Sequence, residues 1–129
     1  MKIWTELPTA TDVEAAIRHY FELLQAEKFT EAEQFVYWSS VRHVVSKLWE
    51  GSVYADGVVD GEDGGVDYDD WEKDLSWLRE LALAKFVWNG DHGAYVEIGY
   101  HARTLEVALS FRVVHTDDGW VLAGPATLW

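Results

Sequence analysis

"AYVEIGYHARTLEVALSFRVVHTDDGWVLAG", residues Ala94 to Gly124, alternates apolar and polar side chains, the period-two signature of strands with one buried face. Ala94, Val96, Ile98 and Tyr100 fall on one side, and Tyr95, Glu97, His101 and Arg103 on the other. In the next run Leu105, Val107, Leu109, Phe111 and Val113 share a face opposite Glu106, Ser110 and Arg112. A tight reversal near Arg103-Thr104 separates the two runs, and "TDDG" marks a second turn. Upstream, "LALAKFVW" and the turn "NGDHG" lead in; downstream, "WVLAGPATLW" follows. The expectation is a meander of four antiparallel strands over residues 81–129, its apolar face covered by helices and its mixed face open to water or a partner.

The N-terminal half changes period. Val13, Ala16, Ile17, Tyr20 and Leu24 form one stripe of a helix over about 12–27, widened by Phe21 and Leu23. Thr11 with Glu14 and Thr30 with Glu33 fit capping boxes, and Asp69 with Glu72 a looser version. A second helix is expected over 31–38. A third, from Val41 to Trp49, groups Val41, Val44, Val45 and Leu48 before Gly51 ends it. "SVYADGVV" reads as a short hairpin around Asp56-Gly57, "DGEDGGVDYDD" as a loop, and "DDWEKDLSWLREL" as a short acidic helix. Helices first and a meander after them make one α+β domain spanning residues 1–129, with helices on one face of a curved sheet.

Composition excludes several classes. The chain has no cysteine, so disulfides and thiolate metal sites are out. "MKIWTELPTATD" lacks the apolar run of a signal peptide, and no stretch approaches the roughly 20 apolar residues of a membrane span, so the expected place is the cytoplasm, away from membranes. Acids outnumber bases by 23 to 10, giving a net charge of −13, which repels nucleic acid and attracts basic proteins. Eight tryptophans suit a core, a cavity lining or an interface.

The segments "DVEAAIRHYFELLQAEKFTEAEQF" and "ALSFRVVHTDDGWVLAG", with the order helix, helix, hairpin, helix, meander, resemble the NTF2-like superfamily. That family includes ketosteroid isomerase, scytalone dehydratase and SnoaL-type polyketide cyclases. The resemblance spans nearly the whole chain. It implies a cone whose sheet curls around the helices and leaves an apolar cavity. Here Tyr20, Trp38, Trp49, Phe86, Trp88, Leu109 and Phe111 would line that cavity, and a small apolar ligand would fit it. It also implies a homodimer through the outer sheet face bearing Tyr95, His101, Arg103 and Arg112.

Ketosteroid isomerase joins a carboxylate base to a tyrosine and a protonated aspartate that hold the enolate oxygen. The resemblance puts Tyr20 at the tyrosine, a suitable donor to an oxyanion. The second acid falls on Leu109, and the base on Val44 or Val45, or on Glu50 or Asp56 if the register shifts. Tyr20 therefore has two readings, a core aromatic or a donor facing a ligand. Of the histidines, His19 and His43 lie off the helical stripes, His92 in a turn and His101 on the polar sheet face. His115 alone shares parity with the core, near a strand end, and is a further candidate base. Residues 56–74 hold nine acids and one base, Lys73, but do not make a calcium loop. Counted from Asp60, the fifth position is Gly64 and the twelfth Trp71. No phosphate loop, nucleophile elbow or zinc-protease motif occurs, so neither a cofactor nor a metal is implied.

Two functions follow. One is a non-catalytic NTF2-like binding domain, one version of which is an immunity protein that masks a basic toxin. The other is a small-molecule isomerase, dehydratase or cyclase using Tyr20 as donor and Glu50, Asp56 or His115 as base.

Overall fold

Helix α1 (Ala10–Gln25) starts where Thr9 and Asp12 lock each other. Asp12 N donates to Thr9 Oγ1 at 3.2 Å, and Thr9 N donates to Asp12 Oδ2 at 3.1 Å. The box therefore sits two residues before the Thr11/Glu14 frame. Both frames satisfy the pattern, but the earlier start adds a further backbone bond, Val13 N to Thr9 O at 3.0 Å. The helix ends in a Schellman motif. Lys28 N reaches Leu23 O at 2.9 Å, Glu27 N reaches Leu24 O at 3.0 Å, and Glu27 takes a left-handed φ of 62°. That turn delivers the chain directly into α2 (Phe29–Phe35), so α2 begins earlier than expected and Thr30 lies inside it without capping it.

The computed structural model describes residues 1–37, 40–55, 75–90 and 92–128, with backbone only for 53–55 and 128. Helix α3 runs Val41–Ala55, past the expected stop at Gly51. A Cβ on Gly51 would lie 3.2 Å from Val107 Cγ2 and 3.4 Å from Leu105 Cδ1. The glycine thus lets the helix press against the sheet instead of ending it. Ser52 is buried there, its hydroxyl donating to Trp49 O at 2.8 Å. The first arm of the expected hairpin is therefore helical. Its turn and second arm, with Asp56, lie outside the described residues. Of the expected acidic helix, Ser76–Glu80 is a 3₁₀ turn and residues 69–74 are outside the description. Gln25 ties that turn to α1, its Nε2 donating to Leu78 O at 2.9 Å and Leu81 O at 2.8 Å.

Among the described residues the sheet has five strands: β1 (Ile3–Trp4), β2 (Leu81–Trp88), β3 (Gly93–Tyr100), β4 (Arg103–Thr116) and β5 (Gly119–Leu128). Their order is β1-β5-β4-β3-β2 and every pairing is antiparallel. The meander matches the sequence reading, while β1 is an addition to it. The β3–β4 reversal lies at His101-Ala102, two residues before the expected place, with φ of 51° and 63°. Paired positive φ values give a two-residue turn whose twist suits a hairpin. Register shifts at Leu83/Lys85, Glu97/Gly99 and Ser110/Arg112 interrupt the ladders. Such irregularities bend strands, and the sheet curls into a half-barrel.

The concave face buries Ala94, Val96, Ile98 and Tyr100 from β3 and Leu105, Val107, Leu109 and Phe111 from β4. Val13, Ile17, Tyr20 and Leu24 of α1, and Val44, Val45 and Leu48 of α3, complete one core. Among the described residues no helix is long and apolar enough to cross a membrane.

Candidate functional site

The sequence places its chemistry around Tyr20. Helix α1 presents that side chain inward with no exposed surface, and its ring meets Phe111 edge-on at 5.8 Å and 76°. Leu109 and Phe111 are 1% and 3% exposed. Three of the expected cavity residues are thus members of the packed core. Phe86, Trp88 and Trp49 are half-buried and pack against its margin. Phe86 and Trp88 stack at 6.1 Å along β2, and the Arg18 guanidinium lies 4.9 Å from the Phe86 ring centre. Trp38 lies outside the described residues.

Of the candidate bases, Glu50 and His115 lie among the described residues, on different elements. Glu50 pairs with Lys47 at 3.2 Å on α3. His115 is exposed near the end of β4, its ring 4.5 Å from that of Trp120. Gly51, the neighbour of Glu50, packs on Val107. His115 is eight residues further along β4 from Val107, and no contact joins it to Glu50 among the described residues. The other histidines are held at the surface. His92 Nε2 lies 3.0 Å from Pro8 O, His43 Nε2 3.2 Å from Thr127 Oγ1, and His101 Nε2 2.9 Å from Glu80 Oε1. Among the described residues, no three His, Asp or Glu side chains are grouped to hold a metal ion.

Two features escape the sequence reading. Trp77, from the 3₁₀ turn, lies 5.4 Å from Trp49 ring to ring, and both indole Nε1 atoms are buried without a hydrogen-bond partner among the described residues. An unsatisfied buried donor costs about 1–3 kcal/mol, so this pair is a locally unfavourable part of the core margin. The second feature is a surface hollow of about 300 Å³ where β1, α1 and α2 meet. Lys2, Trp4, Asp12, His19 and Phe35 face it. Other hollows measure about 390 Å³ over the β4–β5 bulge, lined by Ser110, Arg112 and Gly124 to Ala126, and about 240 Å³ between α1 and β2. None of these three includes Tyr20, Leu109 or Phe111.

In comparisons with known proteins, the chain matches no family model, no curated protein and no solved structure.

Proposed function

We propose that the chain is a non-catalytic binding domain of the NTF2-like kind, whose acidic surface engages a basic protein, as an immunity protein masks a toxin. The observation that carries this reading is where the charge lies. Residues 56–74 hold nine of the 23 acids and one of the ten bases. The rest of the chain has fourteen acids and nine bases, close to an ordinary surface. A field concentrated in this way steers and selects oppositely charged partners. Support also comes from the candidate acid–base groups: Glu50 is ion-paired with Lys47, and His115 is exposed beside Trp120 near the end of β4. On this reading Tyr20 is a packing residue.

The reading expects a basic protein to be encoded beside this chain, and the test is whether a protein of that kind binds it, measured by calorimetry across a salt series. Complex formation whose affinity falls at least about tenfold between 0.05 and 0.3 M salt supports the reading, because screening shortens the reach of surface charge over that range. Absence of binding, or binding indifferent to salt, refutes it.

A further inference from the structure

We propose that the hollow between β1, α1 and α2 is a socket for one lysine or arginine side chain of the basic protein partner. This rests on the binding reading above and adds to it a place and a mode of contact. The hollow, about 300 Å³, sits at the lower limit of ligand sites and suits a single long side chain. Two aromatic residues stand in its wall, Trp4 from β1 and Phe35 from the end of α2, with His19 set against Phe35 at 4.9 Å and 66°. Asp12, on the first turn of α1, supplies a carboxylate. Its Oδ2 accepts from Thr9 N, but a carboxylate has about four acceptor positions, so capping leaves capacity for a cation.

The molecule already shows that this wall accepts one. Lys2 Nζ lies 5.7 Å from the Trp4 ring centre, within the usual range of a cation–π contact. Lys2 is exposed, so an incoming cation can displace it, laying its methylenes on the aromatic wall and its charge toward Asp12. The wall is fixed before binding. Lys2 N donates to Phe35 O at 3.1 Å, and Trp4 is registered against Trp120 of β5. The same segment carries Met1, Ile3 and Leu7, three of the four large apolar side chains exposed among the described residues. Exposed apolar side chains of this size are common at protein interfaces. The choice of a basic occupant follows from the Asp12 carboxylate in the lining and from the cation already held over the Trp4 ring.

The experiment titrates a hexalysine peptide into the ¹⁵N-labelled full chain and follows the indole signals and the amides of Asp12 and His19. The Trp4 indole, Asp12 and His19 should shift together and saturate. Lys2→Gln, which removes the competing cation, should bind the peptide roughly two- to fivefold more tightly. Asp12→Asn, which keeps an acceptor for Thr9 N, should bind it weaker by a similar factor, the size of one exposed ion pair. Shifts confined to residues 56–74, with Trp4 unmoved, overturn the socket and leave the acidic-surface reading standing. Equal affinities for wild type, Lys2→Gln and Asp12→Asn overturn it as well. No shift anywhere at low salt overturns both.

Discussion

Replacing Tyr20 with alanine tests whether its ring is structural or lines a site. The side chain has no exposed surface and meets Phe111 edge-on at 5.8 Å. An aromatic side chain of this kind buries about 150–250 Å². At about 25 cal/mol per Å² that is about 4–6 kcal/mol for the whole side chain. Alanine retains part of it and a cavity adds to the loss, so the expected cost is about 3–5 kcal/mol. Against a total stability of about 5–15 kcal/mol, that is a large share. With a urea slope of about 2 kcal/mol per molar, the unfolding midpoint should fall by about 2 M at unchanged slope. Tyr20→Phe keeps the ring and its meeting with Phe111, and should cost about 1 kcal/mol for the hydroxyl. Urea titration followed by far-ultraviolet circular dichroism reads both. If Tyr20→Ala shifts the midpoint by less than about 0.3 M, the ring stands in open space and the packing argument is wrong. If Tyr20→Phe is as damaging as Tyr20→Ala, the energy lies in the hydroxyl, and the residue is a polar device after all.

Three further perturbations check the fold in places where sequence patterns compete. Thr9→Ala should lower stability by about 1 kcal/mol while Thr11→Ala stays within about 0.5 kcal/mol, because only Thr9 caps α1; thermal melts of the two variants decide it, and the reverse order would place the cap in the later frame. Glu27→Gly should stabilise the protein by roughly 1 kcal/mol by relieving a left-handed residue at φ 62°; a lower urea midpoint would contradict the Schellman assignment. Gly51→Val should cost about 1–3 kcal/mol, since even a Cβ there comes within 3.2 Å of Val107; wild-type stability of that variant would mean that α3 does not press on β4.

The faces of the meander were legible because period two leaves little choice once one side must be buried. Ala94, Val96, Ile98 and Tyr100, and Leu105 to Phe111 on alternate positions, are all buried as the alternation requires. The helix ends were not, because the signals are ambiguous in one dimension. Thr9-x-x-Asp12 and Thr11-x-x-Glu14 are overlapping frames of one pattern, and the frame used is the one whose Thr9–Asp12 bonds and Val13 N to Thr9 O bond are made. Gly51 is a stop signal in a sequence, yet the same lack of a side chain also permits close approach, which only Leu105 and Val107 reveal. Strand β1 is two residues long, too short to show any period. The interior aromatics Tyr20 and Phe111 were marked for a cavity by resemblance, and their position on the core stripe of each element matches their burial. The hollow at Trp4 had no local pattern at all. Lys2, His19 and Phe35 belong to three segments, joined through the backbone bond from Lys2 N to Phe35 O.

Charge and socket would act on different steps of binding, and kinetics can separate them. Diffuse charge changes how often partners meet in a useful orientation, whereas a seated side chain changes how long they stay. Neutralising Asp67, Asp69 and Asp70 to Asn removes three charges from the acidic segment and leaves Lys2, Trp4, Asp12 and Phe35 as they are. Association of immobilised chain with polylysine should slow, and its dependence on salt should flatten, while dissociation changes little. Asp12→Asn should do the opposite, speeding dissociation with a small change in association. Surface plasmon resonance at two salt concentrations resolves both rates. If the triple variant alters dissociation and leaves association intact, the acidic segment is itself the contact and the division between steering and seating fails.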